Sequence, residues 1–167
     1  MFDEKRFFAP GDTIRAFDTR LGRMGILICE EAWHVSPAYL LWLDGADILI
    51  HTAAGPGYGI KAGSDDLGSS AAVDLLSRMY AEFFTVFVLY CNRTGVVDGA
   101  TFFGRASVMG PNGQFVAKGP DFDEALVVAS LDWGELKRAR IHLPLLRDER
   151  VDLTFQELRR IHQARYR

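Results

Sequence analysis

Residues 21–33 read Leu21-Gly22-Arg23-Met24-Gly25-Ile26-Leu27-Ile28-Cys29-Glu30-Glu31-Ala32-Trp33. The run Met24 to Ile28 is short, apolar and rich in aliphatic residues, which predicts a buried strand entered through a turn at Leu21-Gly22. Cys29 therefore falls where a strand stops and a polar loop begins. Working outward, Thr13 to Phe17 reads as a preceding strand, with Thr19 to Arg23 as the hairpin turn between the two. Downstream, Ser36 and Pro37 carry the pattern of an N-cap and first helical residue, opening a helix over 38–43 that stops near Gly45. Ala46 to Thr52 is the next buried strand. A strand, helix, strand order implies a parallel pair joined by a crossover helix.

The Gly- and Pro-rich stretch from Gly55 to Gly68 predicts a loop, and Ser70 to Phe84 a helix with Val73, Leu76, Met79, Tyr80 and Phe83 on one face. Val86 to Tyr90 reads as a strand. Phe102-Phe103, Ser107 to Met109, the Pro111-Asn112-Gly113 turn and Phe115 to Ala117 read as an antiparallel hairpin, with Ala125 to Leu131 as a further strand. The segments starting at Asp132 and at Thr154 both have capping-box spacing and open charged helices, the first ending before Pro144.

The 167 residues are one domain's worth, enough to bury roughly two thirds of the unfolded surface. A net charge of −3 argues against a nucleic-acid partner held through phosphates. The densest basic cluster, Lys137 to Arg140 with Arg147, Arg150, Arg159 and Arg160, is interleaved with acids and reads as solvated helix surface. No stretch has the length of a membrane span, and Met1 to Arg6 lacks the apolar run of a signal peptide, so the expectation is a cytoplasmic chain. The two cysteines, Cys29 and Cys91, are too few for a disulfide framework. Both follow apolar strands, as packed thiols often do, and a Cys29–Cys91 bridge is the alternative to two free thiols.

A free thiol with a pKa near 8.5 is only a few per cent thiolate at neutral pH, so a nucleophilic Cys29 requires a base or a positive field. His51 ends the strand after that of Cys29, and the two could form a Cys–His pair at one sheet edge. Metal binding by Cys29, His34, His51 and Cys91 lacks tight ligand spacing, and Gly55 to Gly59 lacks dinucleotide-binding spacing, so neither metal nor cofactor is expected. The backbone N–H of Glu30 is suited to an oxyanion pocket beside the sulfur.

The segment Gly25 to Trp33 resembles the nucleophile segment of the nitrilase superfamily, the carbon–nitrogen hydrolases. Tyr90-Cys91-Asn92-Arg93-Thr94-Gly95, Phe102 to Ser107 and Gly110 to Gly113 are similar to later segments of the same family, so the resemblance runs from Phe2 to about Arg160. It implies an α/β fold of the nitrilase α-β-β-α sandwich type, incomplete at the N-terminus. It also implies hydrolysis of a non-peptide C–N bond in an amide, a carbamoyl group or a nitrile, through a Cys29 thioester. By resemblance Glu4 is an acid/base and positioning residue, and Glu30, Trp33 and His51 line the pocket. The family's general-base glutamate and its intermediate-stabilising lysine correspond to positions before the segment that begins here. Two other readings follow: a non-catalytic remnant or assembly partner, and a separate Cys–His hydrolase using His51. The expected partners are a small-molecule substrate and either a second copy of the chain or a complementary N-terminal segment.

Overall fold

The computed structural model describes residues 6–59 and 67–166. Its centre is a six-stranded sheet in the order β1-β2-β3-β4-β7-β8, formed by Phe17–Thr19, Gly22–Ile28, Ile48–Ala53, Phe87–Asn92, Ser107–Met109 and Phe115–Lys118. β2, β3 and β4 are parallel neighbours, and the pairs on either side are antiparallel. A separate antiparallel ribbon pairs β5 (Thr94–Val97) with β6 (Ala100–Phe103). Thus Phe102-Phe103 belongs to that ribbon and not to the β7–β8 hairpin, whose turn lies at Pro111 to Gly113 as expected.

The parallel core follows from its crossovers. α1 (Val35–Leu43) joins β2 to β3, and α2 (Gly68–Phe83) lies between β3 and β4. Both helices cover one face of the sheet, where Leu27, Leu49 and Val88 pack with Leu41, Trp42, Tyr80 and Phe84. Burying these side chains stabilises the layer by about 1.5–3 kcal/mol for each large aliphatic residue. The opposite face meets Leu136 of α3 (Trp133–His142) around Ile48 and Phe87. Towards the ends of β2 this second face is open, leaving Ile26 45% and Ile28 57% exposed. A short α4 (Leu145–Asp148) and α5 (Val151–Arg165) complete the chain, and α5 buries none of its residues.

Several boundaries depart from the sequence reading. β1 begins at Phe17, where pairing with Met24 starts, so most of Thr13 to Phe17 has no ladder. α1 begins at Val35 with His34 in the cap position, and Ser36 is inside the helix. Pro37 is still tolerated because the first-turn N–H groups have no intrahelical acceptor. On α2 the buried face is Val73, Ser77 and Tyr80, continued by Phe84 at the C-cap, whereas Phe83 is 56% exposed. Phe84 stacks on Trp42 at 4.9 Å and on Tyr80 at 5.5 Å. Ala125 to Leu131 alternates in exposure but forms no strand: Val127 lies against Gly119 and Leu131 packs near Ile48 and Phe87, yet no described segment pairs with it in a ladder. Asp132 does cap α3, its side chain accepting from the Gly134 N–H at 2.8 Å. The Thr154 pattern caps nothing, since α5 already starts at Val151 and the acidic Asp152 favours that first turn.

Candidate active site

At the C-terminal ends of β2, β3 and β4, the in-register residues Leu27, His51 and Tyr90 share one face of the sheet. Ligands in open α/β sheets collect at such strand ends. A cleft of about 220 Å³ opens there, with Cys29, Glu30, Trp33, His51, Tyr90 and Phe103 among the residues that line it. Its remaining wall comes from the loop through Ala54 and Gly55 and from Ser69 and Val73 of α2.

Cys29 ends the strand abruptly. Its backbone is left-handed, with φ 49°, and it opens a short 3-10 helix over Cys29–Trp33. A non-glycine residue in this region carries a strain of roughly 1–2 kcal/mol, so neighbouring groups must hold it there. Three contacts do so. His51 Nε2 donates to the Cys29 carbonyl at 3.1 Å, Glu31 Oε2 accepts from the Ile28 N–H at 2.7 Å, and the Tyr80 hydroxyl donates to the Ala32 carbonyl at 2.7 Å. The turn is thereby tied to its own strand, to β3 and to α2.

The carbonyl can only accept, so this bond places the His51 proton on Nε2. His51 is buried, and burial lowers its pKa from the ordinary 6.5, with the Cys29 carbonyl opposing in part. It is a neutral imidazole that holds the backbone of Cys29. No hydrogen bond joins it to the sulfur, which removes the geometric basis of the alternative Cys–His pair. Tyr80 and Tyr90 have their phenol pKa raised, chiefly by burial.

Cys29 is half-buried and Cys91 is exposed, and both are free thiols. Cys91 follows Tyr90 on β4 and so faces the other side of the sheet, which corrects the expectation of a packed Cys91 and leaves no bridge. Glu30 lines the cleft, but its carboxylate is largely solvated and lies 3.7 Å from His34 Nε2. Its backbone N–H falls in the first turn of the 3-10 helix, where such groups lack an intrahelical acceptor. Trp33 is half-exposed at the rim. Glu4 lies outside the described residues.

Sequence reasoning missed Glu31 and Tyr80 as braces and did not separate Tyr90 from its strand. Asn92 organises the loop wall: its Oδ1 accepts from the Gly55 N–H at 2.7 Å and its Nδ2 donates to the Gly55 carbonyl at 3.2 Å. Beneath α2, Arg105, only 6% exposed, pairs with Asp74 at 3.1 Å and donates to the Ser70 hydroxyl at 2.9 Å. Among the described residues no cluster of three or more His, Cys, Asp or Glu side chains could hold a metal ion. No described helix is long and apolar enough to cross a membrane.

A parallel three-strand centre with helices on its face and a strand-end cleft, at whose mouth Cys29 sits, defines an α/β protein. The carbon-nitrogen hydrolase family model matches residues 1–141, and the chain belongs to that family, the nitrilase superfamily. It is similar to N-carbamoylputrescine amidase of Solanum lycopersicum, 30% identical over 161 residues, which cover 91% of this chain and 53% of that protein. It is also similar to a citrullinase of Francisella tularensis, at 27% identity over 91% of this chain and 54% of that protein. Among solved structures, a carbon-nitrogen hydrolase from Helicobacter pylori superposes with a TM-score of 0.82 at 30% identity, covering 94% of this chain and 56% of that one. The sheet and its helices match the nitrilase-superfamily fold. The chain spans about half the length of the curated relatives it matches.

Proposed function

We propose that this chain carries the nucleophile segment of an amide- or carbamoyl-cleaving hydrolase, with Cys29 as nucleophile. The observation that carries the reading is the left-handed Cys29 at the mouth of the strand-end cleft, braced on three sides through backbone groups. The amidase and citrullinase names of its relatives support an amide or carbamoyl group over a nitrile.

In the proposed reaction a base takes the Cys29 proton and the sulfur forms a bond to the substrate's carbonyl carbon. The carbonyl π electrons move to oxygen, where the Glu30 N–H and further donors stabilise the oxyanion; one such donor is typically worth 10²–10³ in rate. The oxyanion collapses, the C–N bond breaks and the leaving nitrogen takes the proton, giving a thioester. Water then adds to the thioester carbon, the C–S bond breaks, and the thiol regains a proton. Glu4 is assigned an acid/base and positioning role on family resemblance, and Trp33 forms the rim against which the substrate packs. The open sheet face at Ile26 and Ile28 supports association with a second copy or with a segment bearing the family's other glutamate and its lysine.

Native-state labelling with iodoacetamide, read by peptide mapping, tests the assignment. Cys29 is expected to react faster than Cys91 although Cys91 is the more exposed thiol, and Cys29→Ala should abolish capture at the cleft. Equal labelling, or faster labelling of Cys91, counts against the nucleophile. Turnover of amides and N-carbamoyl compounds, with and without the added segment, then tests the complementary half.

A further inference from the structure

Tyr90 is the one phenol of the cleft wall whose hydroxyl is buried without a hydrogen-bond partner among the described residues. Buried phenols normally find one. Two described rings pack against it. His51 lies beside it in the strand register with ring centroids 5.0 Å apart, and Phe103 stacks on it at 6.5 Å with an interplanar angle of 25°. The ring is held, so the direction of the O–H is fixed to within its own rotation.

The nearby polar groups each have another partner, and none of them is bonded to the phenol. Gly55 gives its N–H and its carbonyl to the Asn92 amide, the Ser69 hydroxyl accepts from the Tyr58 N–H at 3.1 Å, and His51 Nε2 is bonded to the Cys29 carbonyl. The Cys29 sulfur is not bonded to the phenol either, although both line the cleft. A methyl group added at Gly55 would lie 3.7 Å from the hydroxyl oxygen, an ordinary contact distance, so the Gly55 backbone passes close beside the phenol. The described lining offers no lysine or arginine, and its single carboxylate, Glu30, is turned out to solvent.

Taking Cys29 as the nucleophile, we propose that the Tyr90 hydroxyl is the hydrogen-bond donor that holds an acceptor oxygen of an uncharged amide or carbamoyl substrate in the cleft, and so sets its specificity. Burial raises the phenol pKa, which keeps the group protonated, as a donor must be, through neutral pH. A site whose buried donor is left unpaired discriminates against a ligand without the matching acceptor. The Cys29 thiol itself would not make that distinction.

The test compares two small alkylating agents at Cys29 in Tyr90→Phe and in the unsubstituted chain. Iodoacetamide carries an amide oxygen, whereas allyl bromide alkylates thiols and carries no acceptor. The substitution removes only the hydroxyl, and a thermal melt checks that the protein remains folded. Tyr90→Phe is expected to lower the second-order rate of iodoacetamide capture about tenfold, the effect of losing one hydrogen bond, with the allyl bromide rate within about twofold. Unchanged rates with both reagents, or equal losses with both, would overturn the proposal, since a merely structural tyrosine moves the two together. Failure of the nucleophile reading looks different: Cys29 would then show no advantage over Cys91 with iodoacetamide in the unsubstituted chain, and both proposals would fall.

Discussion

His51→Ala separates a histidine that acts on the backbone from one that acts on the sulfur. The imidazole is 3% exposed, donates to the Cys29 carbonyl at 3.1 Å and packs 5.0 Å from the Tyr90 ring. Truncation leaves that carbonyl without its donor, at a cost of about 1–3 kcal/mol, and forfeits an aromatic contact of about 1 kcal/mol. The expected loss of unfolding free energy at pH 8 is therefore roughly 2–4 kcal/mol, measured by urea titration. The pH dependence gives a second reading. Because the folded protein holds His51 below its ordinary pKa of 6.5, the unfolded chain takes up the proton first as the pH falls. The stability tied to a neutral His51 is present above pH 6.5 and is lost on acidification, by up to about 1.4 kcal/mol per pH unit until the folded group also protonates. The gap between parent and variant should thus narrow between pH 7 and pH 5.

The same variant should keep its iodoacetamide reactivity at Cys29 to within about threefold, since a general base would have supplied 10² or more. A loss approaching that of Cys29→Ala would restore the Cys–His hydrolase and refute a backbone role for His51. A stability gap that widens on acidification would refute the buried neutral imidazole.

Cys29→Gly should be more stable than Cys29→Ala by about 1 kcal/mol in urea titrations, because φ 49° suits glycine and strains alanine; at a right-handed position the order would be reversed. Arg105→Ala should cost about 3 kcal/mol by the same measurement, the low end for a broken buried pair, because Asp74 keeps Lys118 at 3.1 Å. A cost under 1 kcal/mol would show that this ion pair does not hold α2 against the loop after β6.

The parts of the fold that could be read from sequence are those in which a local pattern and its tertiary partner coincide. Met24 to Ile28 forms β2 as read and stops at the turn of Cys29, but only Gly25 and Leu27 are buried, while Ile26 and Ile28 are exposed, so the unbroken apolar run does not report a strand covered on both faces. The helix face on α2 is read correctly except at its end: Val73 and Tyr80 are buried, Leu76 and Met79 pack against the core, and only Phe83 turns outward. Ser69, Ser70 and Ser77 are buried but polar, so the apolar residues alone suggested Phe83 in place of Phe84. Ala125 to Leu131 has the alternation of a strand, but strands exist through ladders, and alternation cannot reveal whether a neighbour is present. The cleft was legible in Cys29, Glu30, Trp33 and His51. The orientation of His51 was not, because its bond to a backbone carbonyl leaves no mark in side-chain identity. Tyr90 was hidden for the opposite reason: a tyrosine before Cys91 reads as strand packing until its hydroxyl is found without a partner.

The three braces around Cys29 act on backbone groups, and this has a consequence for chemistry. Had His51 or Glu31 been bonded to the sulfur, each would have changed its basicity and occupied the direction from which a substrate must approach. Bound to the Cys29 carbonyl and the Ile28 N–H, they fix the position of the sulfur and leave its outer side to the cleft. Each brace contributes about 1 kcal/mol, and together they offset the roughly 1–2 kcal/mol of a left-handed cysteine. Positioning of the sulfur therefore comes from the residues around the turn, and on the proposed reading its proton would go to a group other than these braces. On the proposed reading of Cys29 as nucleophile, a sulfur held in this way can be trapped covalently by a reactive amide even where turnover is slow, so capture at Cys29 tests that reading more directly than hydrolysis does.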